Sequence, residues 1–184
     1  MTTPRTRIVQ GIRIYRLGDN GTPLAGTATY AKVESYTPPV CALQFIEVAR
    51  DMIPSEEWEI PPFSMILNDY SLMPERLLDG KVHAFITREA INAATGAAGG
   101  QTYPARYLAY VESVDFGTVQ RGVHVPMTIN LRPVEVWRRK VGASVSFTGT
   151  TPTADDTFRV NERNKIWWAD GVDILAAQRT LLGV

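Results

Sequence analysis

The sequence predicts an all-β, mainly antiparallel protein: two packed sheets with a short mid-chain helix and a short C-terminal helix. Apolar and polar residues alternate along several segments, with the period of two expected of half-buried strands. Turn residues separate these segments, most clearly Gly18-Asp19-Asn20-Gly21 and Pro38-Pro39. The 184 residues, 45% of them hydrophobic, suit one domain over residues 1–184 with a core of its own.

The first half of the chain predicts two strand pairs. Ile8 to Arg16 alternates and forms a hairpin with Thr27 to Thr37, which stops at the two prolines. Strands from Cys41 to Val48 and from Glu57 to Leu67 make the second pair. The loop between them contains Met52, Ile53 and Pro54.

A short helix is predicted near the middle of the chain, from Ser71 to Leu78. Ser71 is its N-cap, Glu75 lies in its first turn, and Gly80 lies just past its end. Lys81 to Thr87 is the next strand, and the small residues of 90–101 indicate a loop.

The longest predicted hairpin runs from Arg106 to Arg139. Its second arm has an apolar face, made by Val123, Val125, Met127, Ile129 and Leu131. After Pro133 the apolar residues are Val134 and Val136, so the apolar side changes. A one-residue slip reverses every side chain, and a bulge or bend is therefore expected near Arg132-Pro133. Such a strand serves two packing surfaces, in two sheets or in two subunits.

The C-terminal segment predicts a tight turn followed by a capped helix. Asp170-Gly171 is a turn dipeptide, Asp173 is placed to cap the helix, and Gly183 to end it. The apolar positions at helical spacing are Ile174, Leu175, Leu181 and Leu182. Chain ends are usually frayed, so an end with a turn, a cap and regularly spaced apolar residues is expected to pack against another surface.

Charge and composition exclude several classes of protein. Nineteen basic and nineteen acidic residues cancel, whereas a dedicated nucleic-acid binder carries a basic excess. The N-terminus is polar and unlike a signal peptide, and no apolar run approaches the ~20 residues of a membrane span. We expect folding in the cytoplasm, where the single Cys41 stays reduced.

The sequence predicts no catalytic, cofactor-binding or metal site. Two histidines, His83 and His124, and one cysteine lack the spacing of zinc ligands, and both histidines read as structural or surface residues. The glycines of residues 96–100 lack the Gly-Lys-Ser/Thr ending of a phosphate loop. A nucleophile dyad or triad stays open, although nothing marks a nucleophile elbow.

Aromatic and basic pairs in the strands favour structural interpretations. Trp167-Trp168 is expected to pack the last helix onto the sheet; a subunit interface and a stacking platform are the alternatives. Trp58 and Trp137 are interpreted as ordinary strand aromatics. The run Arg138-Arg139-Lys140 is interpreted as a solvated strand end, with contact to a partner's acidic surface as the alternative.

The C-terminal motif also resembles a known family. Gly171-Val172-Asp173, Leu175, Arg179 and the final Leu182-Gly183-Val184 are similar to the C-terminus of tail tube proteins of contractile bacteriophages and R-type bacteriocins, which are related to type VI secretion tube proteins. Three further segments fit the family in order: Val33 to Pro39, Val111 to Gly122 and Val134 to Arg138. Two departures are Arg50-Asp51-Met52, where the family has Gly-Gly before Met, and Arg159-Val160-Asn161, where it has an acidic-aliphatic-Asp triplet.

The resemblance implies a structural, non-enzymatic virion protein without a cofactor. Six copies would close a ring around an inner β-barrel, and stacked rings would form the tail tube that conducts DNA. Its partners would be other copies of itself, the sheath outside, the tape-measure protein and DNA in the lumen, and baseplate and neck proteins at the ends. Its place would be the virion tail, assembled in the host cytoplasm. A DNA-free bacteriocin or secretion tube, a neck or baseplate subunit, and a small β-barrel ligand-binding or hydrolytic domain are the alternatives.

Three sets of residues are predicted to make contacts between chains. The ring-to-ring contact is assigned to the segment from Phe45 to Trp58, unless it covers the subunit's own core; its apolar members are Phe45, Ile46, Val48, Met52, Ile53 and Trp58. The C-terminal docking helix uses Asp173, Leu175, Leu181 and Leu182. Cys41 is either a small buried hydrophobe or a disulfide partner of another virion protein, the sheath first.

Overall fold

The chain is all-β and antiparallel, as predicted. The computed structural model describes residues 7–16, 29–31, 33–55, 58–68, 77–91, 101–118, 121–122, 125–144, 147, 153–176 and 180. In these ranges the chain forms β1 (Arg7–Arg16), β2 (Thr29–Ala31), β3 (Val33–Tyr36), β4 (Phe45–Val48), β5 (Asp51–Pro54), β6 (Phe63–Leu67), β7 (His83–Ile91), β8 (Gln101–Asp115), β9 (Met127–Arg139), β10 (Asp156–Asn161), β11 (Ile166–Ala169) and β12 (Val172–Asp173).

The main sheet curls round until it closes. β1 pairs with β7, β7 with β8, β8 with β9, and β9 with β6. β6 pairs with β3, and β2, one residue before β3 in the chain, pairs again with β1. What the sequence predicts as two packed sheets is therefore one sheet folded round on itself. Closure leaves fewer unpaired strand edges than two open sheets would have.

The interior of this closed sheet is the hydrophobic core. Inward-facing side chains from β3, β6, β7, β8 and β9 fill it, and most of them are less than a tenth exposed. They include Val33, Met65, Leu67, Phe85, Tyr107, Ala109, Met127, Ile129 and Leu131. Burying side chains of this size stabilises a fold by about 1.5–3 kcal/mol each, which makes this cluster the main source of stability.

β9 is shared by two branches of the sheet. Its first half, Met127 to Leu131, pairs with β6, and its second half, from Glu135 to Arg139, pairs with β10. β10 continues to β11 and β12, which form a three-stranded branch outside the closed cycle. The predicted passage of one long strand between two packing surfaces is confirmed.

A bulge at Val134 separates the two halves of β9. On β8 the consecutive residues Leu108 and Ala109 pair with Glu135 and Pro133, so that Val134 is the extra residue. Its carbonyl oxygen accepts a hydrogen bond from the backbone N–H of Glu162 at 3.1 Å. The bend predicted near Pro133 is thus present, one residue later. Proline lacks the N–H of a regular ladder and is tolerated beside such an irregularity.

The hairpin β4–β5 corrects the predicted second strand pair. Met52, Ile53 and Pro54 belong to a strand, not to a loop, and this strand pairs with β4 to form a separate two-stranded sheet. The connection is a tight turn in which Ala49 and Arg50 both have positive φ, 52° and 76°. Such a turn usually contains glycine or asparagine, and because neither is present here the turn could not be predicted from the sequence.

Other predicted elements have different bounds or lie outside the described residues. The strand predicted from Cys41 begins only at Phe45, and the one predicted from Glu57 begins at Phe63, after Pro61-Pro62. β7 extends to Ile91, beyond the predicted end. Most of the mid-chain helix, the turn at residues 18–21 and the glycines of 96–100 lie outside the described residues.

Deleting Val134 tests the importance of the bulge. Without the extra residue, Pro133 and Glu135 become neighbours and the ladder with β8 becomes regular, so the side chains on either side keep their faces. The bend between the two halves of β9 and the hydrogen bond from the Glu162 N–H to the Val134 carbonyl are lost, and we expect a loss of about 2–3 kcal/mol. The control Val134→Ala keeps the register and is expected to lose about 1 kcal/mol. Thermal denaturation followed by circular dichroism measures both, and equal stability of the two variants would contradict the assignment.

Candidate assembly interface

The β4–β5 hairpin carries the largest group of exposed apolar side chains in the described part of the chain. Phe45, Ile46 and Met52 are 50%, 52% and 64% exposed. Val40, on the segment that leads into the hairpin, is also exposed. Exposed apolar groups that lie together usually mark an interface. The side chains of Val48 and Ile53, assigned to the same contact, lie outside the described part.

Both faces of this hairpin are apolar. Residues paired across two strands share a face, and successive residues alternate between faces. Met52 pairs with Glu47, two residues after Phe45, so Phe45 and Met52 lie on one face and Ile46 on the other. A hairpin packed on its own core would hide one face. This one exposes large apolar side chains on both, which favours a partner over the subunit's own core.

Trp58 does not belong to this exposed group, and its assignment to the ring-to-ring contact is wrong. Its side chain is buried and packs edge-on against Trp167, with ring centroids 5.2 Å apart. Ile60, two residues further along the chain, is also buried, and its N–H donates to the Glu162 carboxylate at 2.6 Å. The chain has therefore returned to the core before Trp58, and the contact segment ends with β5.

Trp167 and Trp168 have different surroundings. Trp167 is buried in the core between Trp58 and Phe158, as the packing interpretation predicts. Trp168 points to the opposite side of β11 and is only partly buried. There it lines a surface hollow with residues of β10 and of the β11–β12 turn.

The C-terminal segment docks on the core through Leu175. Asp170 and Gly171 form the predicted turn, with φ values of 45° and 90°. The N–H of Leu175 donates to the carboxylate of Asp173 at 3.3 Å, as expected of a capping residue, and the Leu175 side chain is almost fully buried. The last helix is described only at Ala176 and Thr180. Leu181 and Leu182 lie outside the described residues.

Cys41 is half-buried and packs against the core. Burial raises the pKa of its thiol to about 11; the nearby Arg138 guanidinium lowers it and the Glu162 carboxylate raises it by smaller amounts. Because the thiolate is the reactive form, this environment disfavours thiol exchange at neutral pH. The disulfide to another protein stays a prediction, since nothing here tests it.

A buried polar cluster covers the side of the branch sheet that faces away from the core. Cross-strand pairs align Arg106, Trp137, Arg159 and Trp168 in one row across β8 to β11. The Arg159 guanidinium lies 4.0 Å from the Trp137 ring centroid, and that of Arg106 lies 4.7 Å from it. Glu135, almost fully buried, accepts hydrogen bonds from both arginines. Buried charges of this kind are tolerated only when they are paired.

Asp156 is the second acidic member of the cluster. One carboxylate oxygen accepts from Trp137 Nε1 at 2.7 Å and from Arg139 Nε at 2.9 Å; the other accepts from the backbone and side chain of Thr153. Burial raises the pKa of Asp156, but these hydrogen bonds together outweigh it and lower the pKa below its ordinary value of 3.8. The carboxylate is therefore ionised at neutral pH and ties β9 to the segment before β10.

Sequence reasoning missed this cluster. Arg139 is buried and ion-paired, so its interpretation as part of a solvated strand end is wrong, although Lys140 is exposed. Trp137 is the centre of the cluster and not an ordinary strand aromatic. One feature of the sequence does indicate the cluster. After the change of face, every second position is occupied by Glu135, Trp137 and Arg139, which places these three side chains together on the second surface.

The described residues hold no evident catalytic or metal centre. His83 is fully buried with Nε2 2.9 Å from the Asp79 carboxylate, a structural arrangement, and His124 lies outside them. No group of three or more His, Cys, Asp or Glu in the described part is placed to hold a metal ion. No helix found there is long and apolar enough to cross a membrane.

Comparisons with known proteins find only weak structural similarity. No family model matches the sequence, and no curated protein matches it. A crystal structure of an Hcp protein is 10% identical over 71% of this chain and 93% of its own, with a TM-score of 0.48. The Hcp1 protein from the E. coli EAEC 042 pathovar, carrying two tryptophan substitutions, is 10% identical over 70% and 90%, with a TM-score of 0.44. Likeness at this level carries no residue roles or function.

Replacing Glu135 with alanine tests the buried cluster. The variant leaves the guanidinium groups of Arg106 and Arg159 without their shared carboxylate, and we expect a loss of about 3–5 kcal/mol in the free energy of unfolding. The control Glu112→Ala removes an exposed carboxylate from β8 and is expected to change stability by less than about 0.5 kcal/mol. Urea denaturation measures both. A Glu135→Ala variant as stable as its control would show that the cluster is dispensable.

The thiol of Cys41 is expected to react slowly. With a pKa of about 11, little thiolate exists at pH 8, and reaction with a disulfide reagent should be on the order of 100-fold slower than for a free thiol. The rate should rise with pH up to about 11. Denatured protein, in which Cys41 is exposed, is the control. Equal rates for folded and denatured protein would mean that the thiol is open to partners.

Proposed function

We propose that this protein is the structural subunit of a hollow tube, made by rings of identical chains stacked on one another. The observation that carries the proposal is the β4–β5 hairpin, which pairs only with itself in the described part of the chain and is apolar on both faces. An isolated two-stranded hairpin is marginally stable in water. A second copy of the chain that covers this hairpin supplies the missing support.

The closed sheet suits a building block of this kind. Closure confines the core of each copy within a single chain, so that assembly does not have to complete the fold. The contacts between copies are then made by the β4–β5 hairpin and by the branch strands. Obligate contacts of this kind bury on the order of 2,000 Å² or more.

The particular tube we propose is the inner tail tube of a contractile bacteriophage. The support is the C-terminal motif: Gly171 provides the turn, Asp173 the cap, and Leu175 the anchor in the core. In this proposal six copies form each ring, a sheath surrounds the tube, and the tape-measure protein and later DNA occupy the lumen. Baseplate and neck proteins terminate it. The protein is not an enzyme, needs no cofactor, and resides in the virion tail after assembly in the host cytoplasm.

A tube from a DNA-free bacteriocin or secretion system is the alternative within the same class. The balance of nineteen basic and nineteen acidic residues favours neither cargo, because a conduit that must release DNA does not need to bind it tightly. A nucleic-acid assay of intact particles distinguishes the two, because a phage particle carries the DNA that its tube later conducts and a DNA-free machine carries none.

Met52→Asp tests the hairpin as the assembly surface. Met52 is 64% exposed, so the substitution should leave the circular dichroism spectrum unchanged and alter the free energy of unfolding by about 0.5 kcal/mol or less. A charge placed in a contact that buries Met52 is costly, and we expect monomers or single rings and no long tubes in sedimentation velocity. Leu78→Asp, at a comparably exposed apolar residue outside the hairpin, is the matched control and should assemble normally.

Two results would contradict the assignment. If Met52→Asp fails to fold while Leu78→Asp folds, the hairpin belongs to the subunit's own core. If both variants form tubes as the unmodified protein does, the hairpin is not the contact between rings.

A further inference from the structure

A projecting hairpin in a self-assembling chain needs a receiving surface on another copy. When one surface of a copy binds a different surface of the next, both surfaces are present on every chain. Apart from the hairpin and Val40, which leads into it, the exposed large apolar residues in the described part are Leu78, Val172 and Ile174. Two of these three lie together at β12, so the β12 edge of the branch sheet is the candidate receiving surface.

β12 is the outermost strand of its branch in the described residues, where it pairs only with β11. Val172, at the start of this edge strand, is 61% exposed, and Ile174, just after it, is 39% exposed. Edge strands accept added strands from partners, and apolar side chains beside such an edge strengthen the contact.

The other face of the same edge has a hollow of about 400 Å³ beside Trp168. Trp168 pairs with Asp173 across β11 and β12, and so lies on the face opposite Val172. Lys140, Thr153, Thr157 and Asp170 are among the other residues that line the hollow. The indole Nε1 of Trp168 is buried and has no hydrogen-bond partner among the described residues. A buried donor of this kind calls for an acceptor from an occupant.

The hairpin and this edge each present two faces for a contact. The hairpin has Phe45 and Met52 on one face and Ile46 on the other; the edge has the hollow on one face and exposed apolar residues on the other. A strand added along the edge continues both faces of the sheet.

The rims of the two surfaces carry charges that can pair. Glu47, on the same face of the hairpin as Met52, can face Lys140 of the hollow, and Arg50 at the turn can face Asp170. These four charged groups are exposed, so they guide register more than affinity.

We propose that the β4–β5 hairpin of one copy lies along β12 of another copy, with one hairpin face in the hollow beside Trp168 and the other against Val172 and Ile174. The inference rests on the proposed function, because it names the surface that receives the hairpin. It assigns a function in assembly to the free edge of the branch strands β10 to β12.

Cross-linking between two single-cysteine variants tests this contact. Cys41→Ala removes the native thiol; Met52→Cys is then placed in one preparation and Val172→Cys in another. The two are mixed, allowed to assemble, and treated with a short bis-maleimide. The expected product is a covalent dimer formed at least tenfold more efficiently than in the control mixture of Met52→Cys with Leu78→Cys, whose second thiol lies at a comparably exposed site away from β12.

Val172→Asp provides a second measurement. It should abolish tube formation in sedimentation velocity without altering the circular dichroism spectrum, as expected for Met52→Asp. Tubes that form normally with Val172→Asp, or equal cross-linking in test and control mixtures, would overturn this inference but not the proposed function. Either result would mean that another partner or the chain's own last helix covers this edge. A protein that forms no assembly in any preparation would overturn the proposed function as well.

Discussion

The division of β9 at the Val134 bulge is the constraint on which the rest of the structure depends. Before the bulge, β9 closes the sheet through β6 and fills the core with Met127, Ile129 and Leu131. After it, Val136 still faces the core, while Glu135, Trp137 and Arg139 turn to the other side. The extra residue allows one strand to serve a closed apolar interior and an outward branch. If Val134 were paired as a regular strand residue instead, Glu135 and Arg139 would point into the core.

The buried charges on the branch define its geometry more than they add stability. Replacing a buried ion pair with apolar residues is often neutral or favourable, whereas removal of one partner is costly. Arg106 comes from β8, Arg159 and Asn161 come from β10, and all three donate to Glu135 of β9. Their hydrogen bonds require β8, β9 and β10 to keep one register. A branch fixed in this way holds the β11–β12 edge at a defined place relative to the core, as a contact between copies demands.

Local patterns in the sequence predicted a good part of this fold. Alternation identified β1 and the core face of β9, the change of face at Pro133 predicted the bulge, and Asp170-Gly171 predicted the last turn. Tertiary contacts decided what remained hidden. The tight turn at Ala49 and Arg50 adopts positive φ without glycine. The polar cluster joins residues from Arg106 to Asn161 whose charges look solvent-exposed in isolation. Trp58 looked like part of the exposed hairpin, and only its contact with Trp167 places it in the core.

We propose that copies of this chain assemble through surfaces that the single chain leaves exposed. In the part of the chain that the structure describes, apolar groups remain uncovered on the β4–β5 hairpin and at β12, although the sheet closes around its core. Electron microscopy of the purified, unmodified protein at high micromolar concentration tests this most directly. We expect rings of uniform diameter and rods built by stacking them, in the absence of any cofactor. A field of uniform monomers under the same conditions would contradict it.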